Sequence, residues 1–474
     1  MEKLREKFQE ELRRKLQLNS DKVFYKLNDK YITYGELLER SSLLSDYLKN
    51  DCSPVVLYGH KSIEMVISII GCILAGRCYV PVDIFTPKDR INKIIELSEC
   101  SLVINNSNND LDVLSDVEII SSIDNLPSRC ECINDNEYCY MIFTSGSTGV
   151  PKGVPISYSN LYNFIEWISN IDGFKYDFCN VLNQASFSFD LSVTDFYYAL
   201  FNGHTLVGSE KKLQDDLGSF LEYLKSNLID VMVITPTFMK YLLLDKGFVE
   251  GNYPMLKSIY FCGEVLDVDV VRKIYDRFSN VKVINAYGPT EATSAVSSIV
   301  ITREMLEFER LPVGEVSKCN NNIVICDKEI VIKGKSVFNG YLGGIVGGYF
   351  LENNINCYKT GDLGIIDGDY LYCLGRSDNQ IKLNGYRIEL EEIEKVINNI
   401  VGVNNSCVIA KRDNSGKVKC LKAYVCGEVD LDEVNSWLTS KLPSYMVPKF
   451  IEIVSSLPVN NNGKLDRKKI ESLW

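Results

Sequence analysis

Thr144, Ser145, Gly146, Ser147, Thr148, Gly149 and Lys152 are the residues of this chain whose types and spacing best suit a chemical task. They follow the apolar run Tyr140-Met141-Ile142-Phe143, so a strand feeds a loop rich in hydroxyls and glycines that ends in a lysine. Glycine lets backbone N–H groups approach phosphate oxygens, Ser and Thr hydroxyls add donors, and a lysine supplies mobile positive charge. The loop reads as a triphosphate cradle, with an ordinary surface turn as the alternative. It departs from the P-loop NTPase pattern, which needs glycine where Pro151 stands and Ser or Thr where Gly153 stands. A second feature is Asp190, a carboxylate in the apolar context Phe189-Asp190-Leu191. A buried carboxylate calls for a cation; a helix cap or surface aspartate is the rival reading.

Composition excludes several chemistries. Only His60 and His204 exist, too few for a multi-histidine metal centre, and both read as structural or exposed rather than catalytic. Sixteen cysteines without a visible export signal point to a reducing, cytoplasmic setting in which most act as small buried apolar groups. Cys130, Cys132 and Cys139 lack the paired spacing of a zinc module. A net charge of −12 argues against nucleic acid as a main partner. The apolar run from Met65 to Ala75 is too short to insert across a membrane.

Elements able to position these residues follow from the hydrophobic pattern. Short apolar runs at 55–58, 102–104, 231–234, 259–262 and 281–285 alternate with helical patterns, which predicts a parallel sheet covered by helices. A helix with its buried stripe at Leu161, Phe164, Ile165 and Ile168 is expected to start at Asn160. The pattern changes after about Gly375, and from Glu389 onward it reads helix, strand, strand, helix, strand. The polar junction 375–379 predicts a hinge between two bodies.

Several further segments, taken in order, resemble the adenylate-forming superfamily of acyl-CoA synthetases, luciferases and peptide-synthetase adenylation domains. The likeness covers nearly the whole chain. It runs through 31–37, 74–83, Asn285-Ala286-Tyr287-Gly288-Pro289-Thr290-Glu291, Tyr358-Lys359-Thr360-Gly361-Asp362, Gly375-Arg376 and Gly463-Lys464. The resemblance implies an α/β fold with a large N-terminal domain of βα-layered sheets, residues 1–377, and a small mobile α+β C-terminal domain, residues 378–474. It implies an AMP-forming ligase using ATP and Mg²⁺. Thr144 to Lys152 would hold the β- and γ-phosphates, Glu291 the Mg²⁺, and Asp362 and Arg376 the ribose. Tyr287 would pack against adenine, with Asn285, Ala286, Gly288 and Thr290 beside the nucleotide. Lys464 would bridge the substrate carboxylate and the α-phosphate. Each also has a structural reading: Glu291 as a helix-start residue, Asp362 as a turn former, Lys464 as a solvated lysine, Tyr287 as core.

Within the superfamily, the segments 183–193, 260–266 and 287–293 are most similar to the ligases that load D-alanine onto a carrier protein. That likeness implies that Asp190 pairs with the α-ammonium of a small amino acid, and that Cys262 shapes the pocket sterically for a D-enantiomer. Leu191, Thr194, Thr237, Ala286, Ser294 and Ala295 would complete the walls. Thr194 and Ser294 stand where those ligases carry bulkier apolar residues, which leaves glycine, serine, L-alanine and β-alanine open. Such a ligase of a natural-product pathway and a CoA ligase for a simple carboxylic acid are the alternatives. No segment resembles a carrier domain, so the phosphopantetheine thiol is expected from a separate carrier protein in trans. Asp378 would be the hinge, and the segment Lys382-Leu383-Asn384-Gly385-Tyr386-Arg387, Lys382 and Gly385 foremost, would line the thiol tunnel once the small domain has rotated.

Overall fold

The computed structural model describes residues 2–49, 51–107, 109–111, 113, 117–123, 137–146, 149–345, 347–413, 418–458, 465 and 467–472. Two mixed sheets form its larger part. A six-stranded sheet runs Glu118–Ile120, Leu102–Asn105, Val55–Tyr58, Tyr79–Val82, Tyr138–Thr144, Lys152–Ser157, parallel except for the last pair. An eight-stranded sheet has the parallel interior Lys282–Tyr287, Ser258–Phe261, Val231–Ile234, Asn180–Asn183, Thr205–Gly208, Val23–Leu27, with an antiparallel strand at each edge. Their interior strands are apolar on both faces, as strands covered on both sides must be.

The helix Ile63–Ala75 shows why the long apolar run is a core element. Ser62 caps its start by accepting from the Met65 N–H, Gly76 ends it at φ +73, and every residue from Met65 to Leu74 is buried. An all-round apolar helix belongs inside a protein. Among the described residues no helix is long and apolar enough to cross a membrane. The helix expected from Asn160 begins two residues earlier, at Tyr158, because Ser157 and Asn160 form a capping box.

A third sheet departs from the sequence reading. Gly314–Glu315, Tyr370–Arg376, Ile355–Asp367, Glu329–Lys333 and Asn322–Cys326, with Tyr349–Glu352 on one side, make an antiparallel layer without helices. Its strands alternate polar and apolar positions and present the weaker signal of a half-exposed sheet. Beyond it, the hairpin Gln380–Leu383 and Tyr386–Glu389 precedes the expected order of helix Leu390–Asn398, strands Val403–Arg412 and Val418–Gly427, helix Leu431–Lys441 and strand Phe450–Val454. These elements share a core of their own, from Ile381 to Met446.

Candidate active site

The glycine loop is the tip of a β-hairpin, with Thr144 opposite Lys152. Gly146 has no room for a side chain, since a Cβ there would meet the Val150 carbonyl oxygen at 2.1 Å, and Gly149 sits at φ +75. The Thr144 hydroxyl is buried without a partner among the described residues, and the Lys152 ammonium lies 5.6 Å from the Tyr341 ring centroid. An orphan donor and a glycine cradle fit a phosphate chain. Ser147, Thr148 and Lys464 lie outside the described residues.

Across the cleft, the strand Lys282–Tyr287 delivers Gly288, Thr290 and Glu291 at its C-terminal end, where open α/β sheets bind ligands. The fully buried Glu291 accepts from the Tyr341 hydroxyl at 2.5 Å and from Arg387 Nη1 at 2.7 Å to both oxygens. Burial alone would raise its pKa, yet the guanidinium holds it below the usual glutamate range. Tyr287 donates to Asp362 at 2.7 Å, and the second Asp362 oxygen receives Arg376 Nη1 at 2.7 Å. Arg376 also clamps both Asp378 oxygens at 2.7 Å, so the expected hinge residue is tied to the expected ribose pair.

Asp190 precedes the helix Leu191–Asn202 but makes no capping bond. It accepts instead from the Thr290 hydroxyl at 2.5 Å and faces a small cavity of 30 Å³ with Leu191, Cys262, Ser294 and Lys382. Desolvation raises its pKa above the ordinary aspartate value, although Thr290 and the Lys382 charge act the other way. Such a carboxylate is an unsatisfied anion awaiting a cation. Thr194 stands one layer back, sharing a 3.1 Å hydrogen bond with Ser294, while Thr293 and Ser294 hold φ of +60 and +69, a strained conformation for residues with a Cβ. Ala286, Ala295 and Asn285 are buried behind the wall, the last donating to the Pro312 carbonyl at 2.7 Å. Thr237 bonds Glu264 through both its N–H and hydroxyl and lines a second, larger cavity of 720 Å³.

The hairpin 380–389 closes the cleft. Asn384 and Gly385, at φ +53 and +87, make its turn, and the Gly385 N–H donates to Glu264 at 2.8 Å. Lys382 thus reaches the small cavity and Tyr386 the large one, where it stacks on Tyr445 at 3.9 Å. The next helix sends Glu392 to the phosphate loop: its carboxylate accepts from the Gly146 N–H at 3.0 Å and from Arg90 at 2.6 Å. Glu392 and the pair His60–Asp83 were not placed at the cleft by sequence reasoning, and Arg387, expected along the thiol tunnel, was not expected to pair with Glu291. Asn384-Gly385 signals the turn, but nothing local in the sequence announces partners so distant.

The AMP-binding enzyme family model matches residues 12–342, and the model of the AMP-binding enzyme C-terminal domain matches residues 392–464. A D-alanine–D-alanyl carrier protein ligase of Bacillus licheniformis is 38% identical, the match covering 98% of both chains. One from Staphylococcus haemolyticus is 37% identical over 96% of both. Among solved structures, the Vibrio cholerae adenylation domain AlmE in complex with glycyl-adenosine-5'-phosphate superposes with a TM-score of 0.84 at 23% identity, covering 98% of this chain and 97% of that one. A nonribosomal peptide synthetase protein containing adenylation and PCP domains gives 0.81 at 22% identity, covering 97% and 83%. The last two likenesses concern the fold.

Proposed function

We propose, from the premise that this chain belongs to the AMP-binding enzyme family, that it adenylates D-alanine with ATP and passes the aminoacyl group to the phosphopantetheine thiol of a separate carrier protein. The observation that carries this reading is Asp190, a desolvated carboxylate at the cleft with, among the described residues, only a hydroxyl bonded to it, which suits the α-ammonium of an amino acid. The substrate carboxylate attacks the α-phosphorus, and the bond to pyrophosphate breaks. In this reading Lys464 bridges the attacking carboxylate and the α-phosphate. Thr144 to Lys152 bind the outer phosphates, and Tyr287, Asp362 and Arg376 bind the nucleoside. Glu291, anionic and flanked by Tyr341, fits a Mg²⁺ ion, which when bound neutralises charge on the phosphates. The division at 377/378 belongs to the same reading and is supported by the separate core of residues 381–446. A cytoplasmic setting is supported by the free state of every described cysteine.

Cys262 is positioned as a steric wall. Its Sγ faces the Ser294 carbonyl at 3.9 Å, and burial pushes its thiol up to about 11, which suits packing and not nucleophilic attack. The hydroxyl pair Thr194–Ser294 and the small volume beside Asp190 favour glycine as the second reading. The test is amino-acid-dependent exchange of labelled pyrophosphate into ATP with D-alanine, L-alanine, glycine, serine, β-alanine and propionate, with Lys464→Ala as control. D-Alanine should give the strongest exchange. Preference for glycine would install the second reading, and exchange with propionate alone would make the chain a simple carboxylic acid ligase.

A further inference from the structure

The helix Lys88–Ser98 turns Ile91, Ile94 and Ile95 into a core shared with Met141 and Phe143, on the strand that leads into the phosphate loop. Arg90 lies in its first turn, where the partial positive charge of the helix end disfavours a cation. Its side chain is only 9% exposed, so desolvation opposes the charge as well. Helix formation and burial both argue against an arginine at this position, and an anion must compensate. That anion is Glu392. Its Oε1 accepts from Arg90 Nη1 at 2.6 Å, and its Oε2 accepts from the Gly146 N–H at 3.0 Å. One carboxylate thus bridges the guanidinium and the backbone of the phosphate loop, with its own side chain 2% exposed. Arg90 and Gly146 are held by elements of one core, whereas Glu392 stands on the helix Leu390–Asn398, which packs in another.

We infer that Arg90 and the Gly146 N–H form an anion subsite that holds the outermost phosphate of ATP, and then of pyrophosphate, while the cleft is open, and that the Glu392 carboxylate replaces that phosphate on closure. The inference rests on the adenylation reading. When the small C-terminal body swings away it takes Glu392 with it, and the two donors stay side by side without their acceptor. Oxygens of one phosphate group can bridge them as the two oxygens of Glu392 do, because a guanidinium and a backbone N–H serve phosphate and carboxylate alike. Arg90 exchanges one anion for another and keeps its charge compensated in both arrangements. Pyrophosphate must vacate the subsite before Glu392 can enter it, so departure of the first product and assembly of the second site meet at a single pair of donors.

The experiment is calorimetric titration of Mg²⁺–pyrophosphate into the full chain for the parent, Arg90→Gln and Glu392→Gln, run beside amino-acid-dependent pyrophosphate exchange. Loss of a hydrogen bond between charged groups weakens binding by about tenfold or more. Arg90→Gln should therefore weaken pyrophosphate binding by that factor and raise the pyrophosphate KM in exchange to match, with the amino-acid KM unchanged. Glu392→Gln should tighten pyrophosphate binding, because the internal carboxylate no longer competes for the two donors. A purely structural ion pair predicts instead that both variants move the same way. Thermal melts verify that each variant is folded, and the Glu392→Gln arm decides by itself if Arg90→Gln is not. Unchanged affinity in Arg90→Gln, or affinity unchanged or weakened in Glu392→Gln, would overturn the assignment alone. Failure of the parent to bind or exchange pyrophosphate would overturn the adenylation reading and the assignment together.

Discussion

Arg387→Gln should separate the two half-reactions. With the cleft closed, Arg387 supplies the only cation within ion-pairing distance of Glu291 among the described residues, while Glu392 places a carboxylate on the Gly146 N–H. The small C-terminal body thereby puts a cation on the carboxylate expected to hold Mg²⁺ and an anion in the cradle expected to hold phosphate. Closure in this arrangement and a bound Mg²⁺–triphosphate exclude one another, as a thioester step that follows pyrophosphate release requires. Removing one partner of a buried ion pair costs about 3–5 kcal/mol. The Tyr341 hydrogen bond to Glu291 survives and offsets about 1 kcal/mol of that. A net penalty of about 3 kcal/mol on the closed arrangement predicts transfer to the carrier slowed by about 100-fold. In the proposed reading adenylation runs in an open arrangement in which Arg387 has left Glu291, so exchange should not carry this penalty. The assay compares single-turnover transfer with pyrophosphate exchange, and adds a Mg²⁺ titration of transfer from purified adenylate. Excess Mg²⁺ should inhibit the parent by competing with Arg387 and should inhibit the variant at lower concentration, because no guanidinium competes there. Equal loss in both half-reactions, or transfer insensitive to Mg²⁺ in the parent, would refute the reasoning.

Gly385→Ala puts a Cβ 2.7 Å from Thr235 Cγ2 at a φ of +87, so transfer should fall by about tenfold or more relative to pyrophosphate exchange; parallel loss would show that the hairpin also serves adenylation. Asp190 has a raised pKa and, in the proposed reading, binds the substrate ammonium only when ionised, so the amino-acid KM in the exchange assay should climb as pH falls toward that raised value. Asp190→Asn should raise KM by about 30-fold or more and abolish that limb of the profile; an unchanged KM would remove Asp190 from the substrate site. Cys262, buried and with its thiol near 11, should resist iodoacetamide at pH 8 while the exposed Cys326 is alkylated, as peptide mapping would show. Cys262→Ala should relax the ratio of D- to L-alanine by about tenfold, the scale of one lost methyl-sized contact, and an unchanged ratio would contradict its steric role.

Legibility in the sequence followed the range of the interactions. The strands at 55–58 and 231–234, the strand expected at 281–285 and found at 282–287, the helix expected from Asn160 and found from Tyr158, and the order of elements beyond Glu389 were readable because burial imposes its period on neighbouring residues. The antiparallel layer of 314–376 was not: its strands are half-exposed, and their pairing partners are set by tertiary register. The phosphate loop was readable because glycine, hydroxyl and lysine chemistry is concentrated in one turn. What escaped were pairs made across the sequence, such as Ser145 with Arg387, 242 residues apart, and Arg90 with Glu392, 302 apart. His60 shows the same limit in another form. A count of histidines excludes a triad, but the pairing of His60 with Asp83 arises where two parallel strands end side by side. The largely buried Asp83 carboxylate holds that imidazole through Nδ1 at 2.7 Å, a pairing 23 residues apart that only the fold reveals.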